Sequence, residues 1–316
     1  MTPPLTVAIT GVNGFIGRAL AAHLVLKGVR VLGLSRCGTQ VLGVEDRPVG
    51  NAPDVQTLVQ ALRGAQLVVH LAAKAHQTDA AMLQDDSQFD ANLQLTEALL
   101  QASQPAGIQR FVHLSSIGVN GQRTQGQPFT ERDVPAPVEA YARSKLRCEQ
   151  SVWQNHAETG LPCVVLRPPL VYGPQAPGNF GRLVRLLARG WPLPLAAVDN
   201  RRHFVGLDNL VGAITLCLTH PLAQNQTFLV ADTEVTSTPD FLRLAAKALH
   251  QPARLWPLPV PLLRAAAGIA GQAPAVQRLC DSLEVDSRHI RATLGWHPPF
   301  TLAQGLVRAV QTGHTP

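Results

Sequence analysis

The chain has 316 residues, of which 46% are hydrophobic and 15% charged, and this balance excludes an intrinsically disordered protein. Its formal net charge is +6, but no basic run or interleaving of basic and aromatic residues is present, so we expect no nucleic-acid partner. No apolar run reaches the length of a membrane span, and we expect no signal peptide. The five cysteines are scattered without metal-ligand spacing, which predicts free thiols, no metal site and a cytoplasmic protein.

The first predicted elements are a buried strand at residues 7–9, a glycine-rich turn and a helix at residues 18–27. In this context the first glycine of a three-residue repeat allows a tight turn, and the second lets backbone N–H groups approach a diphosphate. The third lets the helix pack close to the strand, and the helix N-terminus offers unpaired N–H groups to phosphates. The pattern predicts a dinucleotide site formed by Gly11, Asn13, Gly14, Phe15, Ile16 and Gly17.

A second strand is predicted at residues 29–34 and is followed by Ser35 and Arg36. An acidic residue at this place would bind the ribose 2′-OH of NAD. Serine can instead donate a hydrogen bond to a 2′-phosphate, and arginine can pair with it. The two residues therefore favour NADP(H), with NAD(H) as the alternative if Arg36 stacks on the adenine without selecting the phosphate.

The next predicted elements are a short strand at 47–50, a helix at 54–63, a strand at 66–70 and a helix at 89–106. After the 66–70 strand come Leu71, Ala72 and Ala73, whose small side chains let a ribose or nicotinamide lie close to the backbone. The polar segment 74–88 is expected to form a loop over the cofactor.

A strand at residues 110–114 ends in Ser115 and Ser116, and further elements are a helix at 139–159 and a strand at 163–166. Alternating strands and helices of this kind predict an α/β fold with a doubly wound parallel sheet. The predicted elements that follow are shorter, and proline-rich turns separate them. We therefore expect a dinucleotide-binding domain at 1–170 and a smaller, mostly C-terminal α/β substrate domain at 171–316, with a boundary that need not be continuous.

Tyr141 and Lys145 are four residues apart on the predicted 139–159 helix, so both project from one face. A phenol with a pKa of about 10 is a poor base at neutral pH. A neighbouring ammonium group and an oxidised nicotinamide would favour the phenolate. Ser116 could orient a substrate oxygen by a hydrogen bond. The three residues predict proton transfer at an alcohol or carbonyl while a hydride passes to or from a nicotinamide.

Several motifs together resemble the extended short-chain dehydrogenase/reductase superfamily, and within it the NAD-dependent epimerase/dehydratase family with its Rossmann-type sheet. They are residues 10–17 (TGVNGFIG), 70–73 (HLAA), 115–116 (SS), 141–145 (YARSK) and 167–174 (RPPLVYGP). Residues 114–121 and 200–205 are similar to a bacterial branch of UDP-hexose 4-epimerase-like proteins and 4-keto-sugar reductases.

The resemblance implies a role for particular residues. Ser116, rather than Ser115, and Tyr141 and Lys145 would be catalytic, and Asn92 would support the site. The implied ligand is a UDP-sugar, and the implied assembly is a homodimer joined through the helix that carries Tyr141. The implied contacts to the diphosphate are Asn179 and either Arg201 or Arg202.

Two departures from the better-known epimerases bear on the expected activity. Asn120 stands where their Val-Tyr-Gly triplet has tyrosine, and Ser35-Arg36 stands where they have an acidic residue. Our leading expectation is an NAD(P)-dependent reductase acting at C4 of a 4-keto UDP-hexose. The alternative is a UDP-hexose 4-epimerase, of glucose or N-acetylglucosamine type, with tightly held NAD. A non-catalytic NADP-binding sensor is the remote alternative.

Overall fold

The computed structural model describes residues 4–74 and 85–311, with the side chains of residues 179 and 311 excepted. Most of the cofactor loop predicted at 74–88 therefore lies outside the described residues.

The strands are short, and those of the main sheet are largely apolar. They are β1 (Thr6–Thr10), β2 (Arg30–Ser35), β3 (Val44–Pro48), β4 (Leu67–His70), β5 (Arg110–Leu114), β6 (Cys163–Arg167), β7 (Val171–Tyr172), β8 (Val205–Gly206) and β9 (Gln226–Leu229). Seven of them form one sheet in the order β3-β2-β1-β4-β5-β6-β9, and every pairing in it is parallel. β7 and β8 form a separate parallel pair.

Helices connect the strands and complete the later part of the chain. They are α1 (Phe15–Leu26), α2 (Val55–Leu62), α3 (Asp90–Ser103), α4 (Ala140–Thr159), α5 (Gly178–Ala188), α6 (Leu207–Thr219), α7 (Thr238–Ala248), α8 (Val260–Ile269), α9 (Ala273–Cys280), α10 (Arg288–Leu294) and α11 (Leu302–Gln311). Short 3₁₀ turns lie at Asp86–Phe89, Ile117–Val119 and Pro221–Ala223.

Both faces of the main sheet are buried, because successive side chains of a strand point to opposite faces. In β1, Val7 and Ile9 pack with α1 and α6, whereas Ala8 packs with α2 and α3 on the other face. Layers of helices on both faces of a parallel sheet define the doubly wound α/β fold and confirm the predicted fold class.

The main sheet takes its last strand from beyond residue 170. β9 pairs with β6 from Val164↔Gln226 to Arg167↔Leu229, and α6 and α10 pack on the same core. A second core, built around Tyr172, Phe180, Phe204 and Phe241, lies in the later part of the chain. The division at 170 stays a prediction, and the chain returns across it to complete the sheet.

Candidate active site

The glycine-rich turn after β1 forms a cradle that side chains would fill. Gly11 has a φ of +70°, and a Cβ added there would lie 2.8 Å from the backbone nitrogen of Ala72. A Cβ on Gly17 would lie 2.1 Å from the carbonyl oxygen of Gly11. The hydroxyl of Thr10 accepts hydrogen bonds from the backbone N–H groups of Leu71 and Ala72, both at 3.2 Å. The close backbone at the ends of β1 and β4 fits a dinucleotide.

The first turn of α1 carries no acidic residue, so its N–H groups and dipole remain available to phosphates. Gly14 is the N-cap, and Phe15 and Ile16 begin the helix and pack against the core. Asn13 Nδ2 donates a hydrogen bond to the carbonyl of Gly38 at 2.7 Å. Asn13 therefore ties the glycine turn to the loop after β2.

Ser35 and Arg36 lie at the carboxyl end of β2, beside the glycine turn. The Ser35 hydroxyl accepts a hydrogen bond from the backbone N–H of Gly38 at 2.9 Å, which leaves its own proton to donate. Arg36 is exposed and makes no hydrogen bond or ion pair within the described residues. Its guanidinium group is therefore available to a ligand phosphate.

Tyr141 and Lys145 lie one turn apart on α4, as the spacing predicts. The ring of Tyr141 packs edge-on against Phe89 with 5.9 Å between centroids. Lys145 is 2% exposed and its Nζ donates a hydrogen bond to the carbonyl of Leu114 at 2.7 Å. This bond fixes the lysine to the end of β5, directly before Ser115 and Ser116.

Ser116 begins the 3₁₀ turn after β5, and its hydroxyl accepts a hydrogen bond from Gly118 N at 3.1 Å. A Cβ on Gly118 would lie 3.2 Å from Cβ of Ala142, so this turn approaches α4 next to Tyr141. Ser116 is half-buried, whereas Ser115 is buried and its hydroxyl has no partner within the described residues. Ser116 is therefore the serine within reach of a ligand.

Burial dominates the electrostatics of the Tyr141–Lys145 pair. It raises the pKa of the Tyr141 phenol, to which nearby Cys148 adds, and it lowers the pKa of Lys145. Each group therefore disfavours its charged form in this surrounding. The lysine alone does not favour the phenolate as the spacing suggested, so deprotonation of Tyr141 needs additional positive charge at the site.

Asn92 joins the segment after β4 to α4. Its Oδ1 accepts a hydrogen bond from Lys74 N at 2.7 Å, and its Nδ2 donates to the Ser144 hydroxyl at 3.3 Å. Ser144 donates in turn to the carbonyl of Tyr141 at 2.8 Å. The network holds the backbone of Tyr141 in register with the end of β4.

An apolar cleft opens in the later part of the chain. Its lining residues are Leu170, Phe180, Leu183, Arg202, Phe204, Thr238, Phe241, Leu242, Arg278 and Leu279. Aromatic and aliphatic walls with two guanidinium groups suit a ligand that combines a flat ring with an anionic group.

Of the two candidate arginines, only Arg202 lines this cleft. Arg202 donates hydrogen bonds to the carbonyls of Arg278 and Asp281, and burial lowers its pKa to about 10. The side chain of Arg201 is 65% exposed and pairs with Glu284 at 2.9 Å. Asn179 lies at the start of α5, and its side chain is outside the described residues.

The sequence pattern of the NAD dependent epimerase/dehydratase family matches residues 7–231. The chain belongs to this family. It is 34% identical to a UDP-glucose 4-epimerase from Vibrio cholerae over 98% of this chain and 95% of that protein.

Two solved structures share the fold over nearly the full length of both chains. The UDP-N-acetylglucosamine 4-epimerase from Bacillus cereus has a TM-score of 0.80 at 22% identity and covers 96% of this chain and 97% of its own. The UDP-glucose 4-epimerase of Thermus thermophilus, solved with NAD, has a TM-score of 0.78 at 24% identity, with 98% of both chains covered.

Membership of the epimerase/dehydratase family makes the chain an NAD-dependent enzyme of the short-chain dehydrogenase/reductase type. Within the described ranges, no helix is long and apolar enough to cross a membrane.

Asn120, which replaces the tyrosine of the Val-Tyr-Gly triplet, is buried and hydrogen-bonded to two other segments. Its Oδ1 accepts a hydrogen bond from Arg167 at 2.9 Å, and its Nδ2 donates to the carbonyl of Thr130 at 2.8 Å. Arg167 is held by Glu149 in a buried ion pair of 2.5 Å. Asn120 is 2% exposed, so its side chain stabilises the segment after Ser116.

Arg278 is a cleft residue that the sequence pattern does not identify. Besides lining the cleft, its Nη2 lies 2.6 Å from Oε1 of Glu139, the residue before α4. The sequence pattern predicts no helix at α9, which has only eight residues and a proline in its first turn, so no local signal identifies Arg278.

Proposed function

We propose that the protein is a UDP-hexose 4-epimerase. The observation that carries this proposal is the 34% identity to a UDP-glucose 4-epimerase over 98% of the chain. The expected reductase has weaker support, because a dTDP-6-deoxy-L-talose 4-dehydrogenase from Kitasatospora kifunensis is 26% identical to the chain. Ser116, Tyr141 and Lys145 are present with Lys145 anchored at the end of β5, and this argues against a non-catalytic sensor.

The proposed role of Tyr141 is to exchange a proton with the C4 hydroxyl of the sugar. When bound, the nicotinamide supplies a hydride acceptor for sugar C4 and positive charge near Tyr141. That charge offsets the burial that raises the pKa of Tyr141. Ser116 donates a hydrogen bond to the same sugar oxygen, and Lys145 binds the cofactor.

Epimerisation then requires the 4-keto sugar to rotate in the site, so that the hydride returns to the opposite face of C4. The proton then returns to the C4 oxygen. The proposed role of the cleft is to hold the uridine diphosphate while the sugar turns. Phe180 and Phe204 can pack on a base, and Arg202 and Arg278 can bind the diphosphate. The reaction involves no net oxidation, because hydride and proton are both returned.

For the cofactor we propose that both dinucleotides bind and that Arg36 favours NADP(H). The support is its exposed, unpaired guanidinium group within the described residues, next to the Ser35 hydroxyl. The NAD in the Thermus thermophilus structure supports NAD(H) as the alternative.

The decisive experiment begins with purified protein to which no cofactor has been added. We would denature it, identify any nicotinamide released, and follow UDP-glucose and UDP-N-acetylglucosamine by chromatography. The epimerase predicts retained nicotinamide and conversion to the 4-epimer without net consumption of NADPH. An empty protein that consumes NADPH only with a 4-keto UDP-sugar would instead be the reductase, and a protein inert in both assays would be the sensor.

We further propose that the enzyme is cytoplasmic, where UDP-sugars are available, and that it forms a homodimer through the surface of α4. Light scattering after size exclusion tests the dimer. A monomer at micromolar concentration would contradict it.

A further inference from the structure

Two neighbouring segments in the later part of the chain expose large apolar side chains. Trp191 is 59% exposed, Trp256 45%, Leu262 58% and Ile269 92%. We call the segments that carry them, residues 182–194 and 251–270, the tryptophan–arginine face. Large apolar side chains clustered on a surface mark a place where a partner binds.

The charge of the tryptophan–arginine face has a single sign. Its two segments contain no aspartate or glutamate, and their arginines are Arg182, Arg185, Arg189, Arg254 and Arg264. The first four are exposed and make no ion pair within the described residues. Arg264 pairs with Asp281 at 2.7 Å and keeps half of its side chain exposed.

Backbone hydrogen bonds hold the two segments side by side. Leu193 N donates to the carbonyl of Arg254 at 2.9 Å, and Trp256 N donates to the carbonyl of Leu193 at 3.1 Å. Trp191 and Trp256 therefore project from neighbouring segments of chain. α8 follows directly, and only Leu263 and Ala267 of that helix are buried.

The face adjoins the substrate cleft. α5 turns Phe180 and Leu183 toward the cleft, while Arg182, Arg185 and Arg189 are exposed with the three- and four-residue spacing of one helix face. The ion pair of Arg264 with Asp281 ties α8 to the end of α9, which also lines the cleft.

We propose that the tryptophan–arginine face docks on an anionic phospholipid surface. Tryptophan rings partition to the boundary between headgroups and acyl chains, and leucine and isoleucine side chains insert below it. The arginines then meet lipid phosphates. Docking of this kind needs no spanning helix.

A second copy of the chain fits this face less well. A two-fold contact would bring each patch against itself, and the arginines would face one another without any carboxylate from the two segments. A lipid surface supplies the missing negative charge.

The test is flotation of the purified full-length protein with vesicles. We expect it to float with vesicles of phosphatidylcholine and phosphatidylglycerol, to stay behind with phosphatidylcholine alone, and to release as salt rises. Leu262→Glu should lower the bound fraction about tenfold, since it removes apolar area and adds a like charge to that of the lipid. Leu222→Glu, at a side chain 60% exposed elsewhere, is the matched control.

A second pair of variants isolates the charge. The double variant Arg185→Gln/Arg189→Gln should weaken binding to the anionic vesicles, whereas Arg63→Gln, at an exposed arginine on another surface, should not. Absence of vesicle binding, or equal binding of Leu262→Glu and Leu222→Glu, would overturn the proposal. So would a Leu262→Glu protein that changes from dimer to monomer without any change in flotation. Turnover of soluble substrates without vesicles reports on the proposed function separately.

Discussion

Glu139 and Arg278 connect α4, the helix that carries Tyr141, to the apolar cleft. Their ion pair, 2.6 Å between Oε1 and Nη2, joins the N-cap of α4 to a residue of α9 that lines the cleft. Gln122 Nε2 donates to the same carboxylate oxygen at 3.1 Å. A diphosphate bound by Arg278 would compete with Glu139, two residues from Tyr141.

Removing the charge of Glu139 should therefore strengthen substrate binding. In Glu139→Gln the guanidinium group of Arg278 is no longer neutralised, so we expect the KM for the UDP-sugar to fall by roughly two- to fivefold, in line with a partly exposed ion pair. The measurement is steady-state kinetics, with Glu97→Gln as a control far from the cleft. A higher KM in Glu139→Gln would contradict this role.

Tyr141→Phe tests proton transfer. We expect kcat to fall by roughly 10²- to 10⁴-fold, because general acid–base catalysis is lost while the ring still packs on Phe89. Retained nicotinamide and melting temperature should not change. Tyr172→Phe, at the only other tyrosine, removes a buried hydrogen bond of 2.8 Å to Asp232 and should lower stability by about 1–3 kcal/mol while kcat is kept. Equal kcat losses in both variants would count against catalysis by Tyr141.

Arg201 and Arg202 should differ in their contribution to diphosphate binding. Arg202→Gln should weaken UDP binding by roughly 10- to 100-fold, since a charge-assisted hydrogen bond in the cleft is lost. Arg201→Gln should change it little, because its side chain is 65% exposed and outside the cleft. Calorimetric titration with UDP gives both values, and thermal melts show whether each variant is folded. A larger effect at Arg201 would reverse the assignment.

Arg36→Asp should weaken NADPH binding about tenfold or more relative to NADH, because an attractive charge near the 2′-phosphate becomes repulsive. Fluorescence titration with each dinucleotide measures the ratio. Arg63→Asp makes the same charge change at another exposed position and should leave the ratio unchanged. If both dinucleotides lose affinity equally in Arg36→Asp, Arg36 does not select the phosphate.

His203 should make the protein less stable in acid. Its Nδ1 accepts a hydrogen bond from Val285 N at 2.9 Å, and burial lowers its pKa from 6.5 to about 4. Between these two values the unfolded chain binds more protons, so the free energy of unfolding falls as pH drops from about 6.5 to about 4. The loss is at most about 3 kcal/mol.

Urea unfolding at about pH 7 and about pH 5 tests this dependence. We expect the free energy of unfolding to depend less on pH in His203→Gln, whose amide oxygen can still accept the hydrogen bond from Val285 N. His70, with a pKa lowered to about 3 by burial, adds a slope of the same sign in both proteins. Identical slopes would assign the acid sensitivity to other groups.

The parts of the site that were predictable are encoded within a few residues. The glycine cradle and the Tyr141–Lys145 pair follow from local spacing. The choice between Arg201 and Arg202 does not. Arg202 forms backbone bridges to Thr236 and Leu283, and only these distant partners decide which of two adjacent side chains enters the cleft.

The sequence pattern predicts no helix at α11, and the reason is equally physical. α11 carries Gly305 at its centre, where a Cβ would come 2.5 Å from the hydroxyl of Tyr172. Glycine weakens the helical signal, but tertiary packing requires it there.

The third strand, predicted at 47–50, lies at Val44–Pro48, because its pairing with β2 sets the register.

The placement of β9 has a consequence for synthesis. A ribosome delivers β6 before residues 168–225 and β9 exist, so the nascent sheet carries an open parallel edge during that interval. Unpaired edges recruit strands from other chains. Stalling within residues 168–225 would therefore leave β6 without its neighbouring strand, and open to pairing with other chains, until β9 has left the exit tunnel.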